Sequence, residues 1–223
     1  MARPGFSLSA DVAVAAEASV AVIGPSGAGK STLLGLLAGF VPPSAGRIYI
    51  GDTDVTAIGP AQRPVTILFQ DNNLFPHLTL VQNVGLGRNP GLRLGPEDHR
   101  AVAAVLERVG LDGLTEARPA ELSGGQQSRA ALARALLRNH PVLLLDEPFA
   151  ALGPALRRDM LDLVAQIRVE RKMTLLMVTH DPTDAARISE SVIFVSEGRA
   201  EPPQPTAALM DAPSPALAAY LGL

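Results

Sequence analysis

With 223 residues, 47% of them apolar and 18% charged, the chain has material for one medium-sized domain with a sizeable core and is too apolar to be disordered. A formal charge of −3 without a long basic run speaks against an electrostatic grip on nucleic acid, and the lack of cysteine excludes disulfides and thiolate metal sites. The longest apolar runs, such as 142–145, are too short to span a bilayer, and the first residues lack the charged start and apolar stretch of a signal peptide. A cytosolic domain is expected, which another chain would hold at any membrane it serves.

In chain order, residues 19–24 read as a buried strand that runs into a helix over about 29–38, and 65–70 read as a second strand. From about 71 the rhythm breaks. A Gly/Pro/Asn-rich section over 85–95 precedes a helical pattern over 96–109, stopped by Gly110, and another from Ser123 to just before Asn139. An apolar strand over 142–146 follows. Pro154 then opens a helix that runs to about Arg171. Residues 174–179 form another apolar strand, Asp181 caps a helix begun at Pro182, and 191–195 read as a strand. Strands alternating with helices predict crossover connections and a mostly parallel α/β sheet covered on both faces. The whole chain, 1–223, is expected to be a single domain, with a helical lobe at about 71–138 inserted in the sheet core. The tail from Pro202 is expected to form short surface helices. Phe40, Phe69, Phe149 and Phe194 are expected in the core, and Arg157-Arg158-Asp159 on a solvated helix face. His77, His99 and His140 lack metal-ligand spacing and are expected in solvent.

Gly24-Pro25-Ser26-Gly27-Ala28-Gly29-Lys30-Ser31 has the spacing of a phosphate-binding loop and sits between a predicted strand and a predicted helix, as that motif requires. The glycines let backbone N–H groups turn inward onto phosphate oxygens, and the helix behind points its positive end at the same anion. Lys30 adds a point charge on the outer phosphates, and the Ser31 hydroxyl can ligate Mg²⁺. Asp146 and Glu147 stand at the end of an apolar strand, where open α/β sheets place ligands. Asp146 can hold Mg²⁺ through water, and Glu147 can polarise an attacking water. Leu122-Ser123-Gly124-Gly125-Gln126 offers a helix cap followed by two glycines that expose the first N–H groups, a second anion-reading helix end in one chain. The alternative is an ordinary cap. The spare phosphate reader suggests that two chains share each nucleotide.

Together these residues resemble the ATP-binding subunits of ABC transporters, and the resemblance covers nearly the whole chain. It implies a P-loop NTPase fold of the ABC type, with a phosphate loop from Gly24 through Thr32, a signature at 122–126, a glutamine loop at Gln70 and a switch histidine at His180. It also implies ATP and Mg²⁺ as ligands in a head-to-tail homodimer. Each site would take Lys30, Asp146 and Glu147 from one chain and Ser123, Gly124, Gly125 and Gln126 from the other. Ser31, Gln70 and Asp146 would surround the metal, Glu147 would be the general base, and His180 would contact the γ-phosphate. In this family an aspartate usually stands where Gly153 is, which implies weaker communication between the two ATP sites here. Family members usually stack adenine on an aromatic residue after a first strand. Phe6 matches a later position, so it is expected to pack, the stacking platform is expected to be missing, and ATP affinity is expected to be weak.

The stretches Leu68-Phe69-Gln70-Asp71-Asn72-Asn73-Leu74-Phe75-Pro76-His77-Leu78-Thr79 and Gln82-Asn83-Val84-Gly85-Leu86-Gly87 resemble the ATP-binding subunits of bacterial importers for thiamine and its phosphates. That resemblance implies a peripheral protein on the cytoplasmic face of the inner membrane. A permease would dock near Leu74, Phe75 and Leu78, a periplasmic thiamine-binding protein would act at one remove, and nucleic acid would play no part. The rival readings are an importer for iron, polyamine or sulfate, a soluble ABC ATPase acting on nucleic acid or ribosomes, and a regulator that binds nucleotide without hydrolysis. A coiled-coil insertion or a second ATP domain, usual in the soluble class, is lacking here, and intact Glu147 and His180 speak against the regulator.

Overall fold

The apolar runs become the parallel centre of a sheet because each is buried on both faces and has no polar side to show to water. The computed structural model describes residues 6–71, 73–207, 213 and 215–221. In chain order its elements are β1 (Ser9–Ala10), β2 (Ser19–Ile23), α1 (Lys30–Ala38), β3 (Tyr49–Ile50), β4 (Thr53–Asp54), β5 (Val65–Leu68), α2 (Leu80–Gly85) and α3 (Pro96–Arg108). Two 3-10 turns (Asp112–Leu114 and Pro119–Glu121) lead to α4 (Gly124–Leu137), β6 (Val142–Asp146), α5 (Pro154–Arg171), β7 (Thr174–Val178) and α6 (Pro182–Ile188). The chain closes with β8 (Ser191–Ser196), β9 (Arg199–Ala200), β10 (Gln204–Pro205) and α7 (Pro215–Leu221).

The central strands lie in the order β8-β2-β7-β6-β5, each parallel to its neighbours. β9 and β10 pair antiparallel with β8, and β1 extends the edge beyond β9. Alternation along the strands divides the core. Leu143, Leu145, Leu175 and Met177 join Leu132, Met160 and Val164 of α4 and α5 on one face, whereas Leu144, Leu176 and Val178 meet Leu33 and Leu34 of α1 on the other. A third cluster places Ala21, Ile23, Val192 and Phe194 against Ala185 of α6 and Leu217 of α7. Between β5 and β6, α2, α3 and α4 pack on one another. No helix among the described residues is long and apolar enough to cross a membrane.

Arg63 is buried at 2% exposure and donates to the carbonyls of Leu36, Leu37, Thr56 and Ile58, at 2.6–3.2 Å. Two of those carbonyls end α1, so a cation closes the negative end of the helix whose other end forms the phosphate loop.

Several expectations need correction. Phe149 and Phe194 are buried as expected, but Phe40 and Phe69 are 55% and 37% exposed and lean on each other at 5.8 Å between ring centroids. Phe69 directly follows β5 and Phe40 lies two residues past α1, so neither side chain is turned into the core by helix or sheet alternation. His140 is half-buried, with Nδ1 2.9 Å from the Val65 carbonyl and 3.3 Å from the Thr66 hydroxyl, because Pro141 carries the chain into β6 beside β5. Arg157 leaves the solvated face to pair with acids of α6. The tail does form a short helix on the surface, α7, anchored there by Leu217, which is 1% exposed. Asn72 and residues 208–212, 214 and 222–223 of the tail lie outside the described residues.

Candidate functional site

β2 delivers the loop of residues 24–29 to the start of α1. Gly24 has φ 147°, and a Cβ there would lie 1.9 Å from the Val195 carbonyl oxygen of β8. Only glycine fits where the loop leaves the sheet. Gly29, at φ 113°, caps α1 without a side chain, and a Cβ there would stand 2.8 Å from the ring of Phe6. Phe6 therefore packs against the back of the loop.

Lys30 folds over the loop and donates to the carbonyls of Gly24 at 2.7 Å and Pro25 at 2.9 Å. Burial pushes its ammonium below the usual lysine range, opposed by the charges of Glu147 and Asp146. The Ser31 hydroxyl donates to Asp146 Oδ1 at 3.1 Å, joining the first turn of α1 to the end of β6 across 115 residues of sequence. Burial pushes Asp146 above the usual carboxylate range and Glu147 adds to the effect, while Ser31 and Lys30 pull the other way. A partly desolvated carboxylate beside a hydroxyl suits a hard oxygen-seeking cation such as Mg²⁺, which brings waters and phosphate oxygens to complete its shell. Among the described residues no group of three or more His, Asp or Glu side chains forms a metal cage of its own.

Glu147 turns out of β6 in the left-handed region, φ 46°, which is costly for a non-glycine residue. Its N–H donates to the Val178 carbonyl at 3.1 Å, and Val178 is the β7 partner of Asp146. The turn sends its carboxylate to His180, with Glu147 Oε2 2.9 Å from Nδ1. A carboxylate only accepts, so the proton of this bond lies on Nδ1. His180 lies two residues past β7, and the N–H of Thr179 between them donates to the Val22 carbonyl at 3.2 Å.

Behind this pair lies a linkage that the sequence did not announce. Arg157 of α5 binds the Asp184 carboxylate of α6, with Nε at 2.6 Å and Nη2 also in contact, and reaches Asp181 at 3.5 Å. Burial pushes Asp184 above the usual carboxylate range, with Arg157 and Thr179 opposing. Thr179 Oγ1 accepts from the Asp181 N–H at 3.1 Å. The residues on both sides of His180 are thus tied to α5. The spacing of Arg157 from the Pro154 helix start carried no mark of this role. A useful signal was the acid pair Asp181 and Asp184 around one helix start.

Gln70 lies two residues past Leu68, which pairs with Leu145 of β6, so it emerges at the same carboxyl edge of the sheet as Asp146. It is exposed and lines a cleft of about 490 Å³ with Leu74, Pro76, Pro119 and Gln127. Phe75 is 46% exposed, and Leu74 is partly packed against the core.

Ser123 caps α4. Its hydroxyl accepts the Gln126 N–H at 3.3 Å and its own N–H donates to Gln126 Oε1 at 2.8 Å. Gly124 is open on its outer side, whereas a Cβ on Gly125 would meet Leu156 of α5 at 2.2 Å. α4 belongs to the layer opposite α1. The structure brings Lys30, Ser31, Asp146, Glu147 and His180 together at one sheet edge, and sets the start of α4 apart from them in the other layer.

A glycine loop at a strand–helix junction, faced by two acids and a histidine, defines a phosphate-loop nucleotide-binding protein. The profile of the ABC transporter family matches residues 9–150, and the chain belongs to that family. It is similar to the thiamine import ATP-binding protein ThiQ of Cereibacter sphaeroides, 61% identical over 97% of this chain and 94% of that one. The ThiQ of a Ruegeria species is 59% identical over 99% of this chain and 95% of that one. Among solved structures, the ATP-binding cassette MJ0796, dimeric in a post-hydrolysis state with ADP and Pi, superposes with a TM-score of 0.77 at 30% identity, covering 87% of this chain and 88% of that one.

Proposed function

We propose that the chain is the ATP-hydrolysing subunit that energises import of thiamine and its phosphates through a membrane permease. The observation that carries the substrate is the identity of 61% and 59% to two thiamine import ATP-binding proteins over nearly the full chain. The site supports the chemistry. The loop N–H groups and Lys30 hold and neutralise the outer phosphates of ATP. Ser31 and Asp146, with Gln70 beside them, would hold Mg²⁺, which would neutralise charge on the outer phosphates. Glu147 polarises the attacking water and accepts its proton. His180, held by Glu147, contacts the γ-phosphate. The fully formed site takes Ser123, Gly124, Gly125 and Gln126 from a second copy of the chain, because within one chain α1 and α4 lie in opposite layers. The helical segment at about 71–138 acts as the lobe that carries this second reader and, through Phe75 and its neighbours, faces the permease. Closure of two chains over ATP and reopening after hydrolysis would move the permease. The protein would work peripherally on the cytoplasmic face of the inner membrane, and thiamine would reach the permease from a periplasmic binding protein without touching this chain.

The test is co-purification with the permease and ATPase assay in vesicles. Thiamine or a thiamine phosphate delivered by its binding protein should stimulate hydrolysis. Stimulation by iron, polyamine or sulfate carriers instead would overturn the substrate. Glu147→Gln should keep ATP binding, accumulate dimers and lower turnover by about a hundredfold or more. Near-normal turnover would sink the role of Glu147.

A further inference from the structure

The carboxyl-terminal helix reaches the site described above. Leu217 and Tyr220 are three residues apart and share one face of α7. Leu217 is buried among Ala21, Ile23, Ala185, Val192 and Phe194, which anchors the helix on β2, α6 and β8. The Tyr220 ring lies against Phe194, 6.1 Å between centroids. Its hydroxyl projects past this apolar seat and donates to the backbone carbonyl of His180 at 3.2 Å. Burial pushes the Tyr220 hydroxyl above the usual tyrosine range, opposed by the nearby backbone of Gly24, first residue of the phosphate loop.

The contact falls on the peptide that His180 needs fixed. The His180 side chain is 56% exposed, so packing does little to aim it. Its ring is held by Glu147, and the chain just before it is tied to β2 through the Thr179 N–H. Its following peptide is held at both ends, the Asp181 N–H by the Thr179 hydroxyl and the His180 carbonyl by the Tyr220 hydroxyl. With the Tyr220 bond lost that peptide is freer to turn, which loosens the backbone that carries the imidazole bonded to Glu147.

We propose that α7 is part of the hydrolytic machinery, with Tyr220 as a positioning residue whose hydroxyl fixes the His180 peptide and so aims the imidazole at the γ-phosphate. This rests on the reading of His180 given above. Tyr220→Phe keeps the ring on Phe194 and removes the hydrogen bond alone. The full 223-residue chain is assayed as wild type, Tyr220→Phe, His180→Ala and the double variant, by Mg-ATP hydrolysis and thermal unfolding. Tyr220→Phe should lower kcat by about two- to tenfold, the scale of one lost hydrogen bond. KM for ATP should be unchanged, Tm should fall by no more than about 2–6 °C, and the double variant should turn over no more slowly than His180→Ala. A wild-type kcat in Tyr220→Phe beside a depressed His180→Ala would overturn the proposal and leave the role of His180 standing. Equal losses in both backgrounds, or a rise in KM alone, would also overturn it, since Tyr220 would then act without His180. Full turnover in His180→Ala would remove the role of His180 itself, and the proposal with it.

Discussion

Arg157 offers a quantitative test of how the catalytic edge is held. Its guanidinium faces Asp184, whose side chain is 10% exposed, and Arg157 itself is 17% exposed. Arg157→Met keeps most of the stem volume and strips the charge. Asp184 then keeps only the distant Thr179 hydroxyl, 3.5 Å away, as a side-chain donor. Breaking a buried pair from one side costs about 3–5 kcal/mol, and the residual exposure of both groups argues for the lower end, about 3 kcal/mol. For a chain of this size that is a fall in Tm of roughly 6–12 °C. The sign of the pH dependence follows from burial. Asp184 in the folded chain already lies above its ordinary value of 3.8, and loss of Arg157 raises it further. A folded value above the unfolded one means that the folded chain binds the extra proton. The penalty is therefore full at neutral pH and fades as pH falls through the raised folded value toward 3.8. Urea unfolding of wild type and Arg157→Met at pH 7.5 and pH 5 should show the difference between them shrinking at the lower pH. Arg157→Met/Asp184→Asn, which removes both charges, should recover most of the loss. A deficit that is the same at both pH values and is not rescued by Asp184→Asn would refute the buried-charge argument and leave lost packing as the cause.

Two further outcomes are expected. Gly153 caps α5 without a side-chain bond, at φ −64° and ψ 156°, and a Cβ there meets nothing within 4 Å. Gly153→Asp should therefore stabilise the chain by a few tenths of a kcal/mol as a helix cap, seen in urea midpoints, and should raise cooperativity in ATP. Cooperativity already strong in the natural chain and unchanged by the substitution would contradict the second part. Phe75 and Leu74 should behave differently, because only Leu74 packs on the core. Phe75→Asp should release the permease in pull-down while ATP affinity of the isolated chain stays constant, whereas Leu74→Asp should also lower Tm; equal loss of fold in both would mean that Phe75 is a packing residue.

The local pattern of the chain carries much of this protein. Residues 24–31, 122–126 and 146–147 announce their chemistry because a phosphate loop, a glycine-opened helix start and a strand-end acid pair are contiguous in sequence. Each needs only its own backbone geometry to be recognised. The strands at 19–23, 65–68, 142–146, 174–178 and 191–196 were legible for the same reason, since burial on both faces demands an unbroken apolar run. The relations between those pieces belonged to tertiary structure alone. Ser31 meets Asp146 because β7 intervenes between β2 and β6 and sets their carboxyl ends level, an order that no local pattern encodes. Arg157 looked like part of a solvated helix face, and only the packing of α5 on α6 turned it onto Asp184. Arg63 stood in no motif, and only the fold closes four carbonyls around it. Tyr220 sat in an alanine-rich tail with no motif about it, because its meaning depends on a carbonyl 40 residues away. A charge or hydroxyl is read from sequence when its partner is its neighbour, and from the fold when its partner arrives by long-range packing.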